Sequence, residues 1–103
     1  MAVKTYQPGN AIVLREQFLD RKYNPPQPVD PDTAIIDLWD PNDVQKVTAQ
    51  PLTRVITGVW EYTYQSVDAD AIGEWTQKIT VTRGGYTNKK LSPSFILSVD
   101  PVA

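Results

Sequence analysis

The stretch Glu74-Trp75-Thr76-Gln77-Lys78-Ile79-Thr80-Val81-Thr82-Arg83-Gly84-Gly85-Tyr86-Thr87-Asn88-Lys89-Lys90-Leu91 decides the fold class. Trp75, Ile79 and Val81 fall on one parity with Gln77 between them, while Glu74, Thr76, Lys78, Thr80 and Thr82 fall on the other. That period of two belongs to a strand with one buried face. Gly84-Gly85 then offers two consecutive positions that accept positive φ without steric cost, which a two-residue hairpin loop demands. The pattern predicts a tight hairpin over 75–91.

The same vocabulary of Val, Ile, Thr, Tyr and Trp continues on both sides. After a turn at Gln7-Pro8-Gly9-Asn10, the run 11–19 places Ile12, Leu14 and Phe18 on one side and Val13, Arg15 and Gln17 on the other. Glu16 interrupts the apolar side, which predicts a position near an edge or rim. In 34–39, Ala34, Ile36 and Leu38 face inward, and Ile35, Asp37 and Trp39 outward, before a turn at Asp40-Pro41-Asn42-Asp43. Residues 44–48 form a weaker strand, ended by Gln50-Pro51. Residues 54–64 read as one strand with Trp60, Tyr62 and Tyr64 on a common face. Ser92-Pro93 marks a break, after which Phe95, Leu97 and Val99 form the inward side of a last strand. Residues 20–32 carry Pro25, Pro26, Pro28 and Pro31, so this segment is a stiff surface loop and not a central strand. The expected architecture is all-β: a single antiparallel β-sandwich, immunoglobulin-like, with six to seven short strands, no helix, one domain over 1–103, a Pro-rich loop at 20–32 and extended termini.

Composition narrows the role by exclusion. The 103 residues suffice for one domain. Hydrophobic residues at 41% and charged residues at 21% are those of a globular protein rather than a disordered or fibrous one. A net charge of −2 argues against a protein that grips phosphate backbone, so no nucleic-acid partner is expected. The N-terminal residues lack the apolar stretch of a secretory signal, and no run reaches the length of a membrane span, so no membrane role is expected. With no Cys and no His, disulfides, thiolate metal sites and Ser-His or Cys-His nucleophiles are all unavailable.

The remaining chemistry is thin. Walker-type phosphate loops and the nucleophile elbow are absent. Glu16, Glu61 and Glu74 are the carboxylates available for a glycosidase-like pair, but outward acids on strands ordinarily serve solubility. The acidic turns at 30–32, 40–43 and 68–70 lack the spacing of a calcium loop, and their residues are ordinary turn formers. The sequence therefore predicts no enzyme, no cofactor and no metal. Trp60 and Trp75 read as core anchors. Trp39, on the outward parity, is either covered by the proline loop or exposed to a partner. Tyr6, Tyr23 and Tyr86, in terminal or loop positions, join it as interface candidates with Pro25 and Pro26 of the stiff loop. Aromatics on a β face also suit a carbohydrate-binding module.

Pro8-Gly9-Asn10, Phe18-Leu19-Asp20, Val29-Asp30-Pro31, Leu38-Trp39-Asp40-Pro41, Thr57-Gly58-Val59-Trp60 and Gly73-Glu74-Trp75, taken in this order, resemble a family of small immunoglobulin-like β-sandwich proteins encoded in tailed bacteriophages and prophages. The resemblance spans 8–99, and its motifs are turn and core residues, which specify architecture more than role. The chain departs from the family pattern at Arg21-Lys22-Tyr23-Asn24-Pro25-Pro26, where a Gly-containing turn is usual. That loop is thus a place for particle-specific contacts. The resemblance implies a virion structural protein made in the bacterial host cytoplasm and assembled in many copies. It would be a capsid cement or decoration subunit, or alternatively a neck or tail adaptor. Its partners would be the major capsid protein or neck and tail proteins together with further copies of itself, met through the proline loop and the termini at 1–7 and 93–103.

Overall fold

A computed structural model describes residues 4–99 and contains no helix and 65% strand. Ten strands follow in chain order: β1 (Lys4–Tyr6), β2 (Ala11–Gln17), β3 (Leu19–Asp20), β4 (Gln27–Pro28), β5 (Thr33–Trp39), β6 (Gln45–Pro51), β7 (Thr53–Ile56), β8 (Val59–Gln65), β9 (Gly73–Arg83) and β10 (Tyr86–Leu97). They form a five-stranded sheet in the order β1-β10-β9-β5-β6, a three-stranded sheet β2-β8-β7, and a two-stranded ribbon β3-β4.

The expectation of six or seven antiparallel strands is corrected on both counts. The large sheet is mixed, because β1 runs parallel to β10 with Lys4 opposite Phe95 and Tyr6 opposite Leu97. The extra strands arise where short segments find partners that periodicity does not reveal. Leu19 and Asp20 pair with Pro28 and Gln27, so the Pro-rich loop is pinched at its base into a ribbon. The run expected as one strand over 54–64 folds back on itself at Thr57-Gly58, making β7 and β8 neighbours. Gly58 permits this reversal: its φ is 78°, and a Cβ there would lie 2.8 Å from Pro28 Cβ and 2.9 Å from the Phe18 carbonyl oxygen.

The hairpin itself is longer than its sequence signal. Arg83 faces Tyr86 across Gly84 and Gly85, whose φ values are 59° and 83°, and the β9–β10 ladder extends to Gly73 opposite Leu97. Ser92-Pro93 does not end the strand. The register slips between Pro93 and Ile96, and among the described residues no strand pairs with the outer side of β10 before Phe95. Bulges and open edges are the places in a sheet that accept proline.

The two larger sheets meet through rings. Trp75 of β9 stacks on Phe95 of β10 at 5.1 Å between centroids, and Tyr64 of β8 approaches Trp75 at 5.5 Å from the opposing sheet. Around them Ile12, Ala34, Ile36, Leu38, Val47, Leu52, Ile79 and Leu97 complete the buried core. Burial of each large side chain contributes about 1.5–3 kcal/mol. The inward parities of β5 and β9 are as the sequence indicates. Trp60 is only half-buried, with its Nε1 donating to Asp30. Val99 is exposed beyond the end of β10, which corrects its expected inward position. Lys4–Tyr6 and residues 93–97 belong to the sheet and not to free extended termini, while residues 1–3 and 100–103 lie outside the described residues.

Candidate contact surface

Two polar arrangements fix how the sheets and loops meet. Gln77 and Glu16 both interrupt apolar faces, and the structure joins them: Gln77 Nε2 donates to Glu16 Oε1 at 2.9 Å, and Ser94 Oγ donates to Gln77 Oε1 at 2.8 Å. This chain links β10, β9 and β2 across the gap between sheets. Asp30 is the second node. Its Oδ1 accepts from the Gly58 N–H at 2.8 Å and Trp60 Nε1 at 3.1 Å, and its Oδ2 accepts from Arg54 Nε at 2.8 Å. The Gly58 N–H, followed by Arg54 and Trp60, outweighs desolvation and holds the Asp30 carboxyl below its ordinary value. The Pro-rich segment is thereby tied to the β7–β8 turn.

Where β9 and β10 run past the three-stranded sheet, a groove of about 480 Å³ opens. Phe18, Val29, Pro31 and Val81 provide apolar walls, and Arg21, Arg83 and Lys90 provide cations. Phe18 is positioned by its N–H donating to the Gly58 carbonyl and by its own carbonyl accepting from the Val29 N–H. Arg83 pairs with Asp20 at 3.4 Å. The Lys22 N–H and Arg83 lower the Asp20 carboxyl below its usual range, with the backbone donor the larger effect. Among the described residues no carboxylate pairs with Arg21, Lys89 or Lys90.

The opposite end of the molecule is built from turns. Asp40 Oδ1 accepts from the Asn42 and Val44 N–H groups, both at 2.9 Å, closing the β5–β6 turn. Asp70 accepts from the Tyr64 hydroxyl at 2.9 Å and the Val67 N–H at 3.0 Å. Burial first, then Asp70, pushes the Tyr64 phenol well above its ordinary value. Gly73 lies so close to Pro41 that a Cβ would stand 2.9 Å from Pro41 Cγ, so the turns at 40–43 and 68–70 sit at the same end.

The interface candidates from sequence divide between regions. Tyr23, Pro25, Pro26 and Tyr86 are exposed at the hairpin end, where the Pro-rich loop and the β9–β10 turn approach through Asp20 and Arg83. Trp39 lies toward the other end, opposite Thr76, half-buried with the Lys78 ammonium 5.6 Å from its ring centroid. Tyr6 is half-buried and meets Phe95 edge to face at 6.3 Å, flanking the core. The aromatics therefore do not converge into one platform. Glu16, Glu61 and Glu74 do not converge either. Glu16 faces Gln77 inside, Glu61 pairs with Arg15 at 2.9 Å, and Glu74 is exposed near the acidic turns. Among the described residues no group of three or more His, Cys, Asp or Glu is placed to hold a metal ion.

The groove cations are absent from the candidates read by sequence. Arg83 and Lys90, with Lys89 outside the groove beside them, flank Gly84-Gly85 closely enough to mark the hairpin tip as basic. Arg21 belongs to the 21–26 loop that the sequence marks for contacts, but only the β3–β4 pairing brings that loop beside Arg83 and Lys90. Comparison of the chain with protein-family models, curated proteins and solved structures finds no match.

Proposed function

We propose that the chain is a non-enzymatic structural subunit of a tailed-phage particle, a capsid cement or decoration protein that acts through protein–protein contacts. The facing sheets and their stacked rings support an immunoglobulin-like sandwich as its architecture. The observation that carries the functional reading is the outer half of the β9–β10 hairpin. Residues 83–91 are exposed throughout, with Tyr86 at 77% and Leu91 at 67%, and among the described residues no strand lines the outer edge of β10 there. An open edge with exposed apolar side chains is a liability for an isolated protein and a ready contact for a partner strand. A rigid body with such an edge suits a part that ties neighbouring subunits together.

The test is cross-linking and mass spectrometry on purified particles. The expected result is this chain in many copies, with Lys89 or Lys90 cross-linked to a particle protein. Cross-links to the major capsid protein support a cement role, and cross-links to connector or tail proteins support an adaptor. Absence of the chain from purified particles would refute the proposal.

A further inference from the structure

The charges of the described residues are unevenly placed between the two ends of the β9–β10 hairpin, with Arg15, Glu16, Asp37, Glu61 and Lys78 between them. The hairpin end holds Arg21, Lys22, Arg54, Arg83, Lys89 and Lys90, with Asp20, Asp30 and Asp32 as its carboxylates. Those three acids are already engaged: Asp20 by Arg83, Asp30 by Arg54, and Asp32 by the Gly84 N–H. The turn end holds Asp40, Asp43, Asp68, Asp70 and Glu74, with Lys46 beside Asp70 at 3.8 Å and Lys4 opposite Phe95, next to the residue that faces Glu74. A chain of net charge −2 thus has one basic and one acidic pole.

Each pole also carries apolar surface. The basic pole has the groove walled by Phe18, Val29 and Val81. The acidic pole exposes Val44, Val67 and Ile72, each about half accessible, beside Asp43, Asp68 and Glu74. We infer that copies of this chain associate head to tail, with the acidic turn end of one seated on the basic groove of the next. The inference rests on the structural-subunit reading and adds to it the partner and the surface.

Charge disfavours an end-to-end two-fold dimer and favours contact between unlike poles. A two-fold contact through either pole would place like charges against each other, which costs energy and slows encounter. A contact of unlike poles satisfies both, and the pair then retains one free pole of each sign. Such association continues beyond two copies and closes as a ring or extends as a filament. Because the attraction is between exposed charges, added salt weakens it.

Sedimentation velocity at about 0.1 M and about 1 M salt, where the screening length falls from about 10 Å to about 3 Å, tests the arrangement. The wild type is expected to form species larger than a dimer that grow with concentration at the lower salt and dissociate at the higher. Arg21→Glu with Lys90→Glu, or Asp68→Lys with Glu74→Lys, is expected to abolish everything above the monomer. An equimolar mixture of the two doubly substituted chains should recover the large species, since each reversed pole then meets a complement. All four side chains are exposed, and near-ultraviolet circular dichroism checks that the fold is retained. A wild type that remains monomeric or stops at a dimer at both salts overturns the inference, as does a mixture that stays monomeric. That failure is separate from failure of the structural role, which particle mass spectrometry decides.

Discussion

The inner and outer halves of the β9–β10 hairpin share one ladder and live in different environments. Trp75, Phe95 and Leu97 are fully buried, and Ile79 nearly so, beneath the opposing sheet. Tyr86, Thr87, Asn88, Lys89, Lys90 and Leu91 are all exposed. The ladder hydrogen bonds are common to both halves, so backbone pairing alone does not distinguish them. What differs is cover: Tyr64 and Ile12 from the smaller sheet lie over the inner half, while beyond Val81 the facing elements diverge into the groove. One pair of strands therefore anchors the fold at one end and presents a surface at the other.

The sharpest way to break this contrast is at the ring stack. Trp75→Ala removes the contacts to Phe95 and Tyr64 and the hydrogen bond from Nε1 to the Ala71 carbonyl. The expected loss is about 3–5 kcal/mol, a large share of the roughly 5–15 kcal/mol that a domain commands. Urea denaturation measures it, and a loss under about 1 kcal/mol would place the core elsewhere.

The turns give a second, smaller contrast. Gly58→Ala imposes both a positive φ and a clash with Pro28 and the Phe18 carbonyl, so about 2–3 kcal/mol is expected. Gly84→Ala meets no atom within 4 Å and carries only the conformational cost, about 1 kcal/mol. Equal costs in thermal or urea melts would show that the crowding at Gly58 is not a constraint.

Asp30 lies where the Pro-rich segment is bound to the body. Its folded-state value is lowered, so its contribution is fully present above the ordinary aspartate value of 3.8 and is lost as pH falls through the lowered value. Asp30→Asn should lower the melting temperature at neutral pH and flatten the decline below that value. An unchanged acid limb would assign acid sensitivity to another group. The smallest effect belongs to the outer half: Leu91→Ser, at 67% exposure, should change stability by no more than about 0.5 kcal/mol.

Much of this contrast was legible in the sequence, and the limits have physical causes. Alternation in 34–39 and 74–83 revealed which faces are inward, because a half-buried strand writes its environment with a period of two. The Gly84-Gly85 turn was equally plain. Alternation cannot report where a sheet stops covering its neighbour, so the sequence shows residues 86–91 as an ordinary hairpin strand although all of them are exposed. It also cannot separate one strand from two joined by a tight reversal, which is why Thr57-Gly58 passed as strand interior. The inward-facing Glu16 and Gln77 each stood out as interruptions, but their partnership depends on the stacking of two sheets and is nonlocal. The groove shares that origin, since Arg21 reaches Arg83 and Lys90 only after the β3–β4 ribbon closes.

Amide hydrogen exchange along the hairpin, in dilute free chain and in purified particles, tests the contact role most directly. In the free chain, residues 75–79 should exchange slowly and residues 86–91 much faster, and incorporation into particles should slow the second group while leaving the first unchanged. Identical exchange of residues 86–91 in the two states would contradict the assignment of this edge as the contact surface.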